Sequence, residues 1–342
     1  MTDRFFDCDF GFLKIEELTD QLASPTDFLD RTAARALIKA CRNQGADRIQ
    51  SASDYELFRA FCHVSPDLCG HPLLVRFEHL LSNCLGTSVT LTADSCDDIW
   101  IASVKALMLS SETIVDFVSR NTASPVRCLL ASDAILHIPS KMDVVLDGRS
   151  LLQTTATDWT AWKSEMENCF ASFAAYGCHS VYFVLPADFC DVEPNPYSVG
   201  QALQSREEKT RDLLIAQVFR FLSETCTQRG WDLILRVEAA AKDTLSLLQR
   251  TARTVGLPNA VWTAPMNETR DALIAFSLRD HSREVRCGIC LADYPSDAEL
   301  RFALSAYAAR YPIGRLSVFT GVHLRDVAYE YQRFQSIIST HS

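Results

Sequence analysis

From residue 126 onward, short apolar runs alternate with longer stretches whose apolar residues recur every three or four positions, the pattern of repeated strand and helix units around a parallel sheet. The runs predict strands at Val126 to Ala131, Met142 to Asp147, Cys178 to Leu185, Asp232 to Glu238, Asn259 to Ala264, Glu284 to Ala292 and Arg315 to Thr320. The opening segment, Arg4 to Phe10, has the same character. It brings the count to eight, the number that closes a barrel around a side-chain-filled interior. The expected fold class is α/β, a (β/α)₈ TIM barrel, with residues 1–342 forming one domain.

The helices between the strands carry start and stop signals. Asp158 can cap a helix striped by Trp159, Trp162, Met166, Phe170 and Phe173, and Gly177 stands where a terminating glycine belongs. Leu213, Leu214, Val218, Phe221, Leu222 and Cys226 stripe a second helix that stops at Gly230. Ser296 with Glu299 forms a capping-box pattern ahead of Leu300, Ala303, Leu304 and Tyr307. Residues 13–125 break the strand–helix rhythm and read as helices over about 26–43, 54–64, 71–85, 95–109 and 111–120. With no Pro-rich linker or low-complexity tract to set it apart, this region is expected to be a helical insertion after the first strand, packed on the barrel.

Composition narrows the partners. Hydrophobic residues make up 48% of the chain, enough to bury a sizeable core. The net charge of −10, with no stripe of Lys and Arg, argues against a nucleic-acid surface. No apolar run approaches the roughly 20 residues that span a bilayer, and the acidic start Met-Thr-Asp-Arg-Phe-Phe-Asp does not read as a signal peptide. The thirteen cysteines are odd in number and several lie in apolar runs, which suits free thiols in a reducing cytoplasm. A cytoplasmic protein with a small-molecule or protein partner is expected, and a homo-oligomer would suit the fold.

Much of the chain resembles uronate isomerase (glucuronate or galacturonate isomerase), a divergent branch of the amidohydrolase superfamily. The likeness rests on Asp54-Tyr-Glu-Leu-Phe-Arg-Ala-Phe61, Gly70-His-Pro-Leu73, Asp97-Asp-Ile-Trp100, Phe170-Ala-Ser-Phe-Ala-Ala-Tyr-Gly-Cys178, Gln228-Arg-Gly-Trp231 and the closing stretch Tyr329 to Ile338. The resemblance implies a (β/α)₈ barrel with a helical addition after strand one. It also implies a set of metal-binding and acid–base positions that this chain has replaced. The family's His-x-His pair falls on Asp9 and Gly11, its Asp-His on Tyr182 and Phe183, its later His on Arg236, and its Thr-Asp on Thr320 and Gly321. No histidine cluster survives, so the family's usual metal site is not expected; no cofactor is expected, with a divalent metal at the strand ends as the alternative. Two features of the family's substrate pocket are retained by the same resemblance: Asp133, just after the second strand, and Arg149, whose guanidinium can hold a uronate carboxylate bidentately.

Strand alternation puts Asp7, Asp9 and Gly11 on one face of the first strand and Arg236 with Glu238 on one face of the fifth. Arg236 could then replace the metal's charge and pair with Asp9. In an active enzyme, Asp9 or Glu238 would serve as general base, His323 after the eighth strand as general acid or anion contact, and Arg149, Arg236 and Asp133 as substrate contacts. The substrate class would be a small acidic sugar or hydroxy acid. Equally, the ion pairs could fill a disused pocket, with neighbours such as Phe183 closing the mouth and His323 merely starting a helix. Two functions therefore stay open: a metal-independent proton-transfer isomerase, or a related lyase or hydrolase, and a catalytically inactive homologue kept for ligand or protein binding. Cys287-Gly-Ile-Cys290 looks like a redox pair but lies in a buried strand, and is expected to be two core thiols. The acidic, proline-broken segment Pro186 to Tyr197 is either a cover over the strand ends or a plain connector.

Overall fold

The computed structural model describes residues 5–6, 21–41, 52–122, 127–130, 143–153, 155–193, 196–205, 210–264, 268–279, 286–309, 316–319 and 326–339. The chain divides into two compact units. One comprises Met1–Ile15 with Ser124–Val322, the other Glu16–Ala123 with His323–Ser342.

The first unit is built on one sheet of eight strands: β1 (Phe5–Phe6), β2 (Arg127–Leu130), β3 (Asp143–Asp147), β4 (Ser180–Leu185), β5 (Asp232–Val237), β6 (Ala260–Thr263), β7 (Arg286–Cys290) and β8 (Ser317–Phe319). All pairings are parallel, and neighbours follow the order β1-β8-β7-β6-β5-β4-β3-β2. This is the cyclic order of a barrel interrupted between β1 and β2. Among the described residues no pairing joins those two strands. Each strand falls within the run that predicts it, usually trimmed at the ends. At β4 the cause is visible: the Cys178 amide donates to Phe173 O (3.1 Å) and so closes the preceding helix instead of joining the ladder.

Register fixes which side chains share a face. Asp147 lies opposite Tyr182, Tyr182 opposite Ile234, Ile234 opposite Val261, and Cys290 opposite Phe319. That inner face carries the buried cluster of Val145, Tyr182, Ile234, Val261, Cys290 and Phe319. The alternate positions Val144, Leu146, Val181, Phe183, Leu233 and Leu235 are equally buried but on the opposite side. Phe183 lies 6.3 Å, centroid to centroid, from Phe219 on the helix Arg211–Arg229. The expectation that Phe183 closes the strand-end mouth is thus corrected. The two-residue period of β4 turns it to the helices, and Tyr182 takes the inner position.

The helical layer follows its sequence signals. Asp158 Oδ1 accepts from the Ala161 amide (2.8 Å) at the start of Trp159–Ala175, and Gly177 ends that helix with φ of 79°. Arg211–Arg229 stops on Gly230, whose φ of 68° few other residues adopt cheaply. Asp297–Ala308 begins with the predicted Ser296–Glu299 capping box. Trp162 is fully buried, stacked on Trp159 (4.5 Å), edge-on to Phe221 (5.0 Å), and donates its indole N–H to Leu151 O (3.0 Å). A side chain of that size contributes roughly 2–3 kcal/mol by burial.

The acidic segment after β4 is tied down along its described part. Arg211 Nη1 reaches Asp188 (2.5 Å), the Cys190 amide donates to Asp212 (3.1 Å), and the Asp191 amide donates to Asp243 (3.1 Å). Arg250 grips Asp191 with both Nη atoms, one at 2.8 Å, and also donates to Val192 O (3.1 Å). With Asp191 only 5% exposed, this segment is a strap fastened to the helices Arg211–Arg229 and Ala241–Thr254.

The described α-helices of the second unit are Arg31–Cys41, Asp54–Val64, Pro72–Leu85, Cys96–Ser110, Ile114–Asn121 and, from the far end of the chain, Val327–Ser339. The predicted helix 26–43 is split. Pro25–Phe28 forms a 3₁₀ turn, Leu29 is extended, and Asp30 accepts from the Thr32 and Ala33 amides (3.0 and 2.9 Å) to begin the α-helix anew. Phe28 packs on Phe117 (4.7 Å), and Phe58 and Phe61 pack edge-on to Phe77 (6.1 and 5.8 Å). The C-terminal helix is held by Arg76–Asp326 (3.1 Å) and by a His79–Gln332 hydrogen bond. Among the described residues no helix is long and apolar enough to cross a membrane.

Candidate functional site

In parallel α/β sheets the residues that do chemistry sit at the carboxyl ends of the strands, where the loops gather. Among the described residues, the ends of β3, β5 and β7 carry charge. At the end of β3, Asp147 is buried and its carboxylate holds Arg149: Nε donates at 2.9 and 3.1 Å, Nη2 at 2.8 Å, and the Arg149 amide at 2.9 Å. The turn that allows this needs Gly148. Its amide donates to Tyr182 O (2.7 Å), and a Cβ there would lie only 2.7 Å from that same carbonyl oxygen. The Arg149 guanidinium is placed 5.5 Å over the Tyr182 ring, so an aromatic face and a carboxylate together fix its orientation.

At the end of β5, Arg236 is 16% exposed and donates through Nε to Glu238 (2.9 Å) and through Nη2 and Nη1 to Asp293 (2.9 and 3.4 Å). Asp293 follows β7, in the short turn Leu291–Asp293. Burial disfavours the charged guanidinium, but the Asp293 and Glu238 carboxylates outweigh it and hold Arg236 above its ordinary value. Beside them, burial first and then the Asp293 charge push the Cys290 thiol up to about 12, and the same two causes push the Tyr294 phenol up to about 12. Both groups therefore stay protonated at neutral pH, and neither is a nucleophile there.

The structure joins Arg236 to Glu238 as strand alternation predicts, and it places Arg149 on Asp147. Asp9, Asp133 and His323 lie outside the described residues. Sequence reasoning missed Asp147 and Asp293, the acids that orient the two arginines. An acid on the last residue of a strand or just beyond it, as in Asp147-Gly-Arg149 and Cys290-Leu-Ala-Asp293, was the available signal. Cys287 and Cys290 are buried free thiols, as expected of core positions.

Comparison with solved structures identifies the architecture. A uronate isomerase from Thermotoga maritima superposes with a TM-score of 0.74 at 12% identity, over 98% of this chain and 86% of that one. The chain has the fold of uronate isomerases. A glucuronate isomerase from Caulobacter crescentus superposes with a TM-score of 0.69 at 10% identity, over 99% of this chain and 86% of that one. No family profile and no curated protein matches the sequence.

Among the described residues at the positions where the family resemblance implies metal ligands, Tyr182, Phe183 and Arg236, none is a histidine or a carboxylate. Tyr182 is packed under Arg149, Phe183 faces the helices, and Arg236 is itself a cation engaged by two carboxylates. Among the described residues no group of three or more His, Cys, Asp or Glu converges as metal ligands would. What the arrangement offers is two fixed positive groups and three carboxylates, of which Glu238, with 38% of its side chain exposed, is the most open.

Proposed function

We propose that this chain is a uronate isomerase-fold protein whose strand-end site works without a metal, and that its primary role is to bind a small, acidic, sugar-like ligand. The observation that carries the reading is Arg236. A guanidinium stands at the β5 position where the resemblance expects a metal-binding histidine, and Glu238 and Asp293 hold it in place. Arg149 is 29% exposed and supplies the contact for the ligand's carboxylate, while Glu238 accepts from its hydroxyls. Asp133, Asp9 and His323 belong to the same proposed site through the family resemblance alone. The strand order supports the proposal of a closed (β/α)₈ barrel, with 13–125 as a helical addition; a cytoplasmic location and a homo-oligomer are proposed from the composition and the fold resemblance alone.

A second reading, metal-independent proton transfer, is favoured by one observation: the exposed Glu238 carboxylate beside a permanent positive charge, the arrangement of a base that can reach a ligand. Calorimetric titration with glucuronate and galacturonate in the presence of a chelator, beside an aldose–ketose assay with and without added Zn²⁺ or Mn²⁺, separates the outcomes. Saturable, chelator-resistant binding that is weakened in Arg149→Gln, without turnover, supports the binding role. Turnover without metal that is lost in Glu238→Gln supports proton transfer. Turnover that strictly requires metal overturns both.

A further inference from the structure

Away from the strand ends, the helical layer of the first unit contains a cavity of about 210 Å³ lined by Trp159, Lys163, Gln217, Arg220, Phe221 and Glu224. Its walls come from the helices Trp159–Ala175 and Arg211–Arg229, with Val199 of the helix Pro196–Ser205 completing the lining. Trp162 covers one face of the Trp159 ring at 4.5 Å and 12°, and Phe221 stands perpendicular to Trp159 at 6.3 Å. Trp159 is nonetheless only half-buried, so part of its π surface is what the cavity presents.

Arg220 lies beside these rings, half-buried, and also lines an adjoining cavity of about 50 Å³ with Glu193, Leu247 and Thr251. Among the described residues, no hydrogen bond or ion pair engages its guanidinium. The contrast with its neighbours is informative: Arg149, Arg211, Arg236 and Arg250 each hold a carboxylate within 3 Å. The half-buried Arg220 guanidinium presents a planar fork of donors that no described carboxylate uses. Lys163 adds a second positive charge, its contact with Glu167 being long (3.9 Å) and solvent-screened.

The pairing of aromatic surface with an unused fork selects a ligand class. A bare inorganic anion would leave the rings uncovered, and a neutral ring would leave Arg220 unpaired. A cation would meet Arg220 and Lys163 against the single carboxylate of Glu224, so the lining favours an anion by one charge. The volume is below the roughly 300 Å³ at which drug-sized ligands begin, which limits the occupant to one or two fused rings. We propose that this cavity binds a small planar aromatic carboxylate, its ring against Trp159 and Phe221 and its carboxylate on Arg220. The site is distinct from the strand-end cluster, and its residues play no part there.

The test is titration of the full chain with 2-naphthoate, read by tryptophan fluorescence and by ligand-observed NMR. 2-Naphthamide and cyclohexanecarboxylate serve as the uncharged and non-aromatic controls. Saturable binding is expected, at least about tenfold weaker for either control and for the Arg220→Gln and Trp159→Leu variants. Both substituted side chains are half-buried, and circular dichroism checks that the variants fold. Arg149→Gln is expected to bind 2-naphthoate as the parent does. The proposal is overturned by an absence of saturable binding up to about 10 mM, by equal binding of the amide, or by loss in Arg149→Gln with retention in Arg220→Gln.

Discussion

Replacing Arg236 by Met isolates what the guanidinium does for the strand ends. The substitution keeps most of the side-chain length but leaves Asp293 (21% exposed) and Glu238 (38% exposed) facing each other without a cation. A fully buried pair broken on one side costs about 3–5 kcal/mol, and an exposed one about 0–1 kcal/mol. Arg236 itself is 16% exposed, so the expected destabilisation lies between these limits, at about 2 kcal/mol. The two carboxylates should not share it equally. Asp293 receives two hydrogen bonds from Arg236 where Glu238 receives one, and is the less exposed, so Asp293→Asn should cost about 1–1.5 kcal/mol and Glu238→Gln under about 0.5 kcal/mol. Urea unfolding followed by circular dichroism measures all three, and the Arg236→Met/Asp293→Asn double variant gives the coupling. The reasoning fails if Glu238→Gln is as costly as Asp293→Asn, or if the double variant shows no coupling.

Gly148→Ala should destabilise by about 1–3 kcal/mol and loosen Arg149, because the new methyl meets a backbone oxygen that cannot turn aside; thermal unfolding checks it. Releasing the strap by Arg250→Met should open residues 186–193 to limited proteolysis while the parent resists under the same conditions, and equal cleavage of both would count against fastening at Asp191. For the thiols, burial raises the pKa of Cys62, Cys226 and Cys290, so the reactive thiolate is scarce at neutral pH. Iodoacetamide at pH 7.5 should therefore label the exposed Cys41, Cys69 and Cys190 well before those three in the native protein, as mass spectrometry of the peptides would show.

The strands were legible because they are short apolar runs, with β3, β4, β5, β6 and β8 buried on both faces, and eight such runs admit few arrangements in a parallel sheet. Helix ends at Asp158, Gly177, Gly230 and Ser296 were legible because capping is a local affair. What stayed hidden depends on three dimensions. Asp293 reaches Arg236 across 57 positions of sequence. Tyr182 and Phe183 are both large, aromatic and fully buried, so composition alone could not say which faces inward. The split at Leu29 and Asp30 was overlooked because the apolar period runs through it, although Asp30 is a good helix cap. The docking of Val327–Ser339 with the helices of the second unit rests on contacts between segments some 250 positions apart, as with His79 and Gln332.

A positive charge that is part of a side chain obeys different rules from one that is borrowed. A metal centre equilibrates with its surroundings: it can be emptied by a chelator, filled with the wrong ion, or left vacant when supply falls. Arg236 is present from the moment the chain is translated, and the Asp293 and Glu238 carboxylates hold its proton more firmly than an isolated guanidinium's. The positive charge at the end of β5 is thus written into the gene and changes only by mutation.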